Sequence, residues 1–148
     1  CNELLNVSNE AQLFVTLFCA IIDVEQDCMH YVNAGHNPSL LCMPDTEPTY
    51  LSSPRNPLVG IVPGLAFAVG SCAFPPGSAC VLYTDGVTEA ENTAGALFSD
   101  DALRSIVGRH ALRDVNYCVD AIVAAVDDFA GTHPQADDIT LLAIQRTR

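Results

Sequence analysis

Strand-like segments fill the first half of this 148-residue chain, and two helical segments followed by a single strand fill the second half. Apolar runs rich in Val, Ile, Phe and Thr predict the strands, and apolar residues at helical spacing predict the helices. Ser99 is a candidate N-cap and Gly131 a candidate stop signal. This order predicts an α+β fold with antiparallel sheets packed against helices, without the regular alternation of a doubly wound parallel sheet. The predicted strands are 13–23, 28–34, 39–43, 65–74, 79–84 and 139–145, and the predicted helices are 100–110 and 115–130.

The composition restricts the class of partner. Six Lys and Arg stand against eighteen Asp and Glu, which gives a formal net charge of −12. An acidic surface repels both nucleic acid and anionic lipid. No apolar run reaches the roughly 18 residues that a membrane-spanning helix requires. We therefore expect no nucleic-acid partner and no membrane insertion.

The seven cysteines favour a reducing, cytoplasmic setting. Their number is odd and no CxxC pair occurs, so neither a disulfide framework nor a zinc site is indicated. Several of them lie in apolar, strand-like runs, where Cys behaves as a small buried hydrophobe. Such unpaired cysteines are typical of proteins in the cytoplasm.

Two acidic sites stand out because each borders a predicted strand. Asp85 follows the apolar run at 79–84 and precedes Gly86, whereas Asp137 and Asp138 come directly before the last strand. If the helices return the chain to the same sheet, these carboxylates meet at one edge, where Mg²⁺ or Mn²⁺ would relieve their repulsion. Such a cation activates water and binds a phosphoryl oxygen. The alternative is structural, since Asp-Gly is a common turn pair and Asp before a strand is often a cap.

Four short blocks of sequence occur in a fixed order. They are FVTLF at 14–18, NAGHNP at 33–38, YTDGVTEA at 83–90 and DDITLL at 137–142. Together they resemble the successive signature blocks of the SpoIIE/RsbU phosphatases, which belong to the PP2C-like (PPM) superfamily. The resemblance covers nearly the whole chain and implies a PP2C-like α-β-β-α sandwich of antiparallel sheets flanked by helices. Residues 1–148 would form the C-terminal part of that domain.

The resemblance also implies a function and a site. The family consists of metal-dependent protein-serine/threonine phosphatases that act on small regulatory proteins in bacterial signalling, chiefly STAS-type anti-sigma-factor antagonists. By their place in the motifs, Asp85 and Asp137 resemble catalytic metal ligands, and two Mn²⁺ or Mg²⁺ ions are expected in the complete domain. Gly86, Asp138 and Glu89 complete the candidate metal site. Asp138 stands where related phosphatases have Asn, and Glu89 either helps to bind a further cation or is a solvated surface carboxylate.

One block of the family has no counterpart in this sequence. A Gly-Gly-Asp-like stretch, which supplies another metal-binding Asp, is absent before Leu13, and the chain does not begin with Met. We therefore expect these residues to be part of a longer protein that supplies it. If the chain were complete, a pseudo-phosphatase that binds a partner protein without turnover would be favoured. Homodimerisation through an exposed sheet edge or through the helices stays open.

Two further residues and one other chemistry have alternative interpretations. His36 is either a proton donor or phosphate contact, or a loop imidazole bonded to nearby backbone. Arg55 either meets an anionic substrate or is a surface charge. The segment DGVT at 85–88 faintly resembles the loop of haloacid-dehalogenase-type phosphatases, whose chemistry needs a nucleophilic Asp two residues earlier. Tyr83 stands there, which argues against that reaction.

Overall fold

The computed structural model describes residues 1–7 and 9–147, which divide into two compact units. The first unit comprises Cys1–Pro38 and Ser52–Phe74, and the second comprises Ser39–Leu51 and Pro75–Arg148. In chain order the elements are α1 (Asn2–Asn6), β1 (Leu17–Asp23), β2 (Cys28–Ala34), β3 (Leu40–Cys42), β4 (Thr49–Tyr50), β5 (Gly70–Ala73), β6 (Ala79–Tyr83), α2 (Asp85–Thr88), α3 (Asp100–His110), α4 (Val115–Ala130) and β7 (Leu141–Gln145).

The first unit contains a three-stranded antiparallel sheet in the order β1-β2-β5. Pairing of β1 with β2 runs from Leu17 opposite Ala34 to Asp23 opposite Cys28. The uninterrupted apolar run at 13–23 is typical of a strand that is buried on both faces. The side chains in the middle of β1, which is an edge strand of this sheet, are instead exposed, so that interpretation is wrong within the described residues.

The second unit contains a four-stranded antiparallel sheet in the order β4-β3-β6-β7, and its core lies between this sheet and the two long helices. Leu103 on α3, Ile122 on α4 and Val81 of β6 are fully buried in the same hydrophobic cluster. Burial of each such side chain contributes about 1.5–3 kcal/mol to folding. The continuous apolar run of β6 and the apolar stripes of the helices therefore share one core, which holds β6 in place.

Each long helix begins with a different kind of residue. Ser99 precedes α3 as predicted, but its side chain makes no capping bond and its φ is 77°. Asp114 caps α4, because its Oδ1 accepts hydrogen bonds from the backbone N–H groups of Asn116 and Tyr117. Gly131 ends α4 with a φ of 59°, a conformation that favours glycine. Among the described residues, α4 is the longest helix at 16 residues, and no helix there has the length and apolarity of a membrane span.

Several predicted strands are shorter than expected because side chains bind their backbone. The strand predicted at 65–74 covers only Gly70–Ala73, since the amide group of Asn56 binds both the N–H and the carbonyl of Ala68. The strand predicted at 139–145 begins at Leu141, after Thr140 donates to a threonine hydroxyl described below. The sequence interpretation missed α2 and β4. The predicted α+β order is confirmed.

Candidate active site

The pairing of β6 with β7 brings the two acidic sites of the sequence to the same edge of the second sheet. The last residue of β6, Tyr83, lies opposite the first residue of β7, Leu141. Asp85 follows this pair on one strand, and Asp138 precedes it on the other. We call the segments 84–86 and 137–140 the acidic rim.

Thr84 connects the two segments of the acidic rim. Its hydroxyl donates to the carbonyl of Asp138 at 2.8 Å and accepts from the N–H of Thr140 at 2.9 Å. Its own N–H donates to the carbonyl of Thr140 at 3.1 Å. The backbone of both segments is therefore fixed next to the residues that carry the carboxylates.

Gly86 is required by the close approach of the two segments. A Cβ atom at this position would lie 2.6 Å from the carbonyl oxygen of Asp138 and 3.1 Å from that of Asp137. The first of these distances is shorter than any real Cβ contact. Gly86 lies within α2 rather than in the sharp turn that the sequence suggested, so its role is to leave room for a neighbouring carbonyl.

The carboxylates of the acidic rim are exposed, and those of Asp85 and Asp137 accept hydrogen bonds from the next residue in the chain. Oδ1 of Asp85 accepts from the N–H of Gly86 at 3.1 Å, and Oδ1 of Asp137 accepts from the N–H of Asp138 at 2.7 Å. Within residues 1–7 and 9–147, neither Oδ2 atom has a hydrogen-bond donor. The carboxylates of Asp85 and Asp137 are thus each oriented through one oxygen and keep the other for a ligand.

A cavity of about 240 Å³ lies beside the acidic rim. Gly86, Glu89 and Asp137 line it on the rim side, and residues of α4 and the following loop complete it. Glu89 is exposed, and its backbone N–H donates to the carbonyl of Asp85 at 2.8 Å. The structure therefore places Glu89 at the cavity and close to the rim, and the role in cation binding that its motif suggested stays a prediction.

The donor atoms of the rim fit a hard divalent cation. Asp85, Asp137 and Asp138 offer carboxylate oxygens, and two backbone carbonyls face Gly86. Oxygen ligands of this kind suit Mg²⁺ and Mn²⁺. In the part of the chain that the structure describes, no three His, Cys, Asp or Glu side chains form a group that could hold a metal ion. The expectation that a further ligand comes from a longer protein stays a prediction.

His36 and Arg55 belong to the first unit. The side chain of Asn33 accepts from the N–H of His36 at 2.8 Å and donates to its carbonyl at 2.8 Å. The loop is therefore held through the backbone of His36, by a buried asparagine that the sequence interpretation did not single out. Arg55 is exposed. The roles suggested for these two side chains towards a substrate stay predictions.

Tyr83 stands where a haloacid-dehalogenase-type reaction would need a nucleophilic Asp, and its role in this structure is to hold the fold together. Its side chain is 3% exposed, and its hydroxyl donates to Oδ1 of Asp100 at 3.0 Å. The hydroxyl of Tyr50 donates to the backbone carbonyl of the same aspartate at 3.0 Å. Burial raises the pKa of the Tyr83 hydroxyl above its ordinary value, with smaller contributions from Tyr50 and Asp100. The geometry supports the argument against a haloacid-dehalogenase-type reaction.

Comparison of the sequence with known proteins gives a family match over almost its whole length. The model of the family "Stage II sporulation protein E (SpoIIE)" matches residues 1–147. Protein IcfG of Synechocystis sp. is 30% identical over 134 residues, which are 90% of this chain and 21% of that protein. The phosphoserine phosphatase RsbU of Bacillus subtilis is 25% identical over 148 residues, 98% of this chain and 43% of that protein. The chain thus spans less than half the length of these curated relatives.

Solved structures confirm the PP2C-like fold. The SiaA-PP2C domain of Pseudomonas aeruginosa matches with a TM-score of 0.75 at 21% identity, covering 88% of this chain and 51% of that one. A structure of the PP2C phosphatase domain of SpoIIE from Bacillus subtilis, with a fragment of its regulatory domain, matches with a TM-score of 0.76 at 19% identity. It covers 97% of this chain and 41% of that one. At these identities the likeness concerns the fold.

Proposed function

Because the chain belongs to the SpoIIE family, we propose that it carries part of the active site of a metal-dependent protein-serine/threonine phosphatase. The reaction is hydrolysis of phosphoserine or phosphothreonine on a regulatory protein, with release of inorganic phosphate. A STAS-type anti-sigma-factor antagonist in bacterial signalling is the substrate that the family resemblance favours. The absence of a disulfide among the cysteines of the described residues agrees with a cytoplasmic protein.

One observation carries this proposal more than any other. Two acidic segments that are 52 positions apart in sequence, counted from Asp85 to Asp137, meet at the acidic rim with the carbonyl of Asp138 against Gly86. The antiparallel pairing of β6 with β7 brings the two segments together, and acidic residues stand on both of them. A structural turn or cap does not require acids on both segments, whereas a shared cation does.

In the proposed site, Asp85 and Asp137 hold the cations, with Asp138 and Glu89 beside them. Bound Mn²⁺ or Mg²⁺ supplies Lewis acidity and lowers the pKa of water. The chain itself contributes orientation, since one oxygen of Asp85 and one of Asp137 are fixed by backbone N–H groups. The negative charge of the carboxylates at the site also repels the dianionic phosphoryl group until cations are present. Substrate binding and metal binding are therefore linked. We expect two ions in the complete domain.

The cavity beside the rim suits the part of the substrate protein that surrounds the phosphorylated residue. It borders Asp137 and Glu89 and has an apolar wall that includes Val126 and Ile139. A space of this kind can take a side chain next to the phosphoserine while the phosphoryl group stays at the rim. That the relative RsbU is a phosphoserine phosphatase supports the same substrate class.

The test is an Asp85→Asn substitution in the full-length protein that contains this chain. We expect metal-dependent phosphate release from a phosphoserine protein to fall by about 100-fold or more, because a ligand is lost and even residues behind ligands matter by tenfold or more. Circular dichroism should show an unchanged fold, because Asp85 is exposed. The matched control is Asp128→Asn, an exposed acid of α4 outside the cavity lining, which should keep full activity.

Two outcomes would contradict the proposal in different ways. Full activity of the Asp85→Asn protein would remove the carboxylate from the reaction. A wild-type protein that binds the phosphorylated partner but releases no phosphate would favour the pseudo-phosphatase instead.

A further inference from the structure

We propose that Thr84 is a positioning residue, whose hydroxyl sets the spacing between the two segments of the acidic rim that would bind metal. This inference rests on the proposed function, because it assigns Thr84 a role in the same site. Thr84 does not touch the substrate or the cations in this proposal. It acts through the backbone of its neighbours.

The hydroxyl of Thr84 acts next to the two main candidate ligands, Asp85 and Asp137. Asp85 follows it directly in the chain, and the carbonyl that accepts its proton belongs to Asp138, the neighbour of Asp137. The same oxygen accepts the N–H of Thr140. A hydroxyl can donate once and accept at the same time. A single oxygen atom therefore joins both segments, next to the residues that carry the carboxylates.

This contact replaces the strand pairing where that pairing ends. The regular register of β6 and β7 stops at Tyr83 opposite Leu141. One further backbone bond follows, from the N–H of Thr84 to the carbonyl of Thr140. Beyond it, the side chain of Thr84 continues the connection as far as Asp138. The segments therefore stay together past the end of the sheet, where backbone pairing alone would let them separate.

The carbonyl of Asp138 is held from two sides. Thr84 donates to it at 2.8 Å, and Gly86 leaves it space that a Cβ atom would fill. Mg²⁺ binds oxygen at about 2.0–2.1 Å with a strict geometry, so small shifts of the segment that carries Asp137 weaken the ligand set. Loss of the hydroxyl should therefore reduce metal affinity even though no ligand is removed.

The competing explanation is that threonine is present only because a β-branched side chain suits the end of a strand. Two substitutions separate the explanations. Thr84→Val keeps the shape and the β-branch but removes the hydroxyl, whereas Thr84→Ser keeps the hydroxyl and removes the branch. A threonine that is needed only for its shape tolerates Val and is impaired by Ser. A positioning hydroxyl gives the opposite result.

The experiment measures the dissociation constant of Mn²⁺ by calorimetry in the full-length protein, together with the thermal midpoint and with kcat and KM on a phosphoserine protein. We expect Thr84→Val to raise the dissociation constant of Mn²⁺ by about 10-fold or more, the size seen for residues behind metal ligands. Thr84→Ser should stay within about twofold of wild type by the same reasoning. As a matched control, Thr46→Val removes an exposed hydroxyl that donates to the carbonyl of Met43 at 3.2 Å, outside both segments of the rim, and should leave Mn²⁺ affinity unchanged.

The results distinguish this inference from the proposed function. If wild type binds Mn²⁺ and hydrolyses substrate but Thr84→Val binds Mn²⁺ equally well, only the role of Thr84 is wrong. If wild type binds no Mn²⁺, both proposals are wrong. Should the valine protein fail to fold, Thr84→Ala carries the same expectation. A loss of Mn²⁺ affinity in Thr84→Ser that equals the loss in Thr84→Ala would overturn the role of the hydroxyl.

Discussion

The carboxylates of the acidic rim and the carboxylate of Asp100 differ in their hydrogen-bond partners, although both lie near the end of β6. Oδ1 of Asp100 receives the hydroxyl of Tyr83 at 3.0 Å and that of Tyr50 at 3.3 Å. Oδ1 of Asp85 and Oδ1 of Asp137 receive only the N–H of the next residue. One aspartate is thus occupied by tertiary partners, and the other two are fixed only locally.

This difference separates a carboxylate that builds the fold from carboxylates that are available to a ligand. Asp100 starts α3 and connects it to β4 and β6 through the two tyrosines. Each hydrogen bond of this kind contributes about 0.5–1.5 kcal/mol to stability, and somewhat more when the acceptor is charged. At the rim, the hydrogen bonds that join the two segments are made by the hydroxyl of Thr84 and by backbone groups. The carboxylates there contribute little to the fold.

The largest effect expected from this comparison is a reversal between two Asp→Asn substitutions. Asp137→Asn should reduce phosphoserine hydrolysis by about 100-fold or more, with the free energy of unfolding unchanged or slightly higher because repulsion is relieved. Asp100→Asn should keep activity within about twofold and lower the free energy of unfolding by about 1 kcal/mol. Phosphate release and urea unfolding measure the two quantities. Equal losses of activity in both proteins would show that the distinction is wrong.

A smaller effect is expected at the glycine that allows the rim to close. Gly86→Ala places a methyl group against a backbone carbonyl held by Thr84, and we expect a loss of about 1–3 kcal/mol in unfolding free energy together with reduced activity. Gly108→Ala is the matched control, because it is also helical and its Cβ would meet side chains and no backbone: the ring of Pro48 at 3.2 Å and Oε2 of Glu47 at 4.0 Å. Its cost is offset by the roughly 1 kcal/mol that Ala gains over Gly in a helix. If Gly86→Ala is as stable and active as Gly108→Ala, the close approach does not constrain the site.

The two long helices of the second unit could be predicted from the sequence with their observed bounds. Both α3 and α4 carry apolar residues at helical spacing, and Gly131 marks the end of α4. These signals are local, since they depend on periodicity within one segment. The strand 28–34 was predicted with its observed bounds for the same reason.

The first residues of β5 and β7 could not be predicted, because they depend on side chains that are distant in sequence. Asn56 ends the extension of β5 by binding the backbone of Ala68. Thr84 does the same for β7 by accepting from the N–H of Thr140, 56 positions away. No local pattern shows such contacts, since they require the two segments to be placed side by side first.

The candidate site also has features that the sequence suggested and contacts that only the structure shows. Carboxylates next to predicted strands suggested that Asp85 and Asp137 meet, and the register of β6 on β7 brings their segments together. Thr84 lies inside the motif that carried the resemblance, but its role depends on that register. The position of Gly86 against Asp138 likewise appears only once the two segments are in contact. Sequence therefore identified the residue types, and the structure supplied the contacts that hold them.

The smallest expected effect is a loss of stability at alkaline pH that comes from the Asp100 side of the comparison. Burial, followed by the charge of Asp100, raises the pKa of Tyr50 to about 12 from an ordinary value of 10.0. Below pH 10 both the folded and unfolded states keep this proton, so the contribution of Tyr50 is complete. As the pH rises through about 12, the unfolded state loses the proton first and the contribution is lost. The thermal midpoint of wild type should therefore fall over this range, and that of Tyr50→Phe should fall less.

The control is Tyr117→Phe, which alters a tyrosine that is 57% exposed. Its thermal midpoint should fall as that of wild type does, because the hydroxyl of Tyr117 is not part of the Asp100 network. An identical decline in all three proteins would show that the contact of Tyr50 with Asp100 does not stabilise the fold. Asp100 would then not differ from the rim carboxylates in the way proposed.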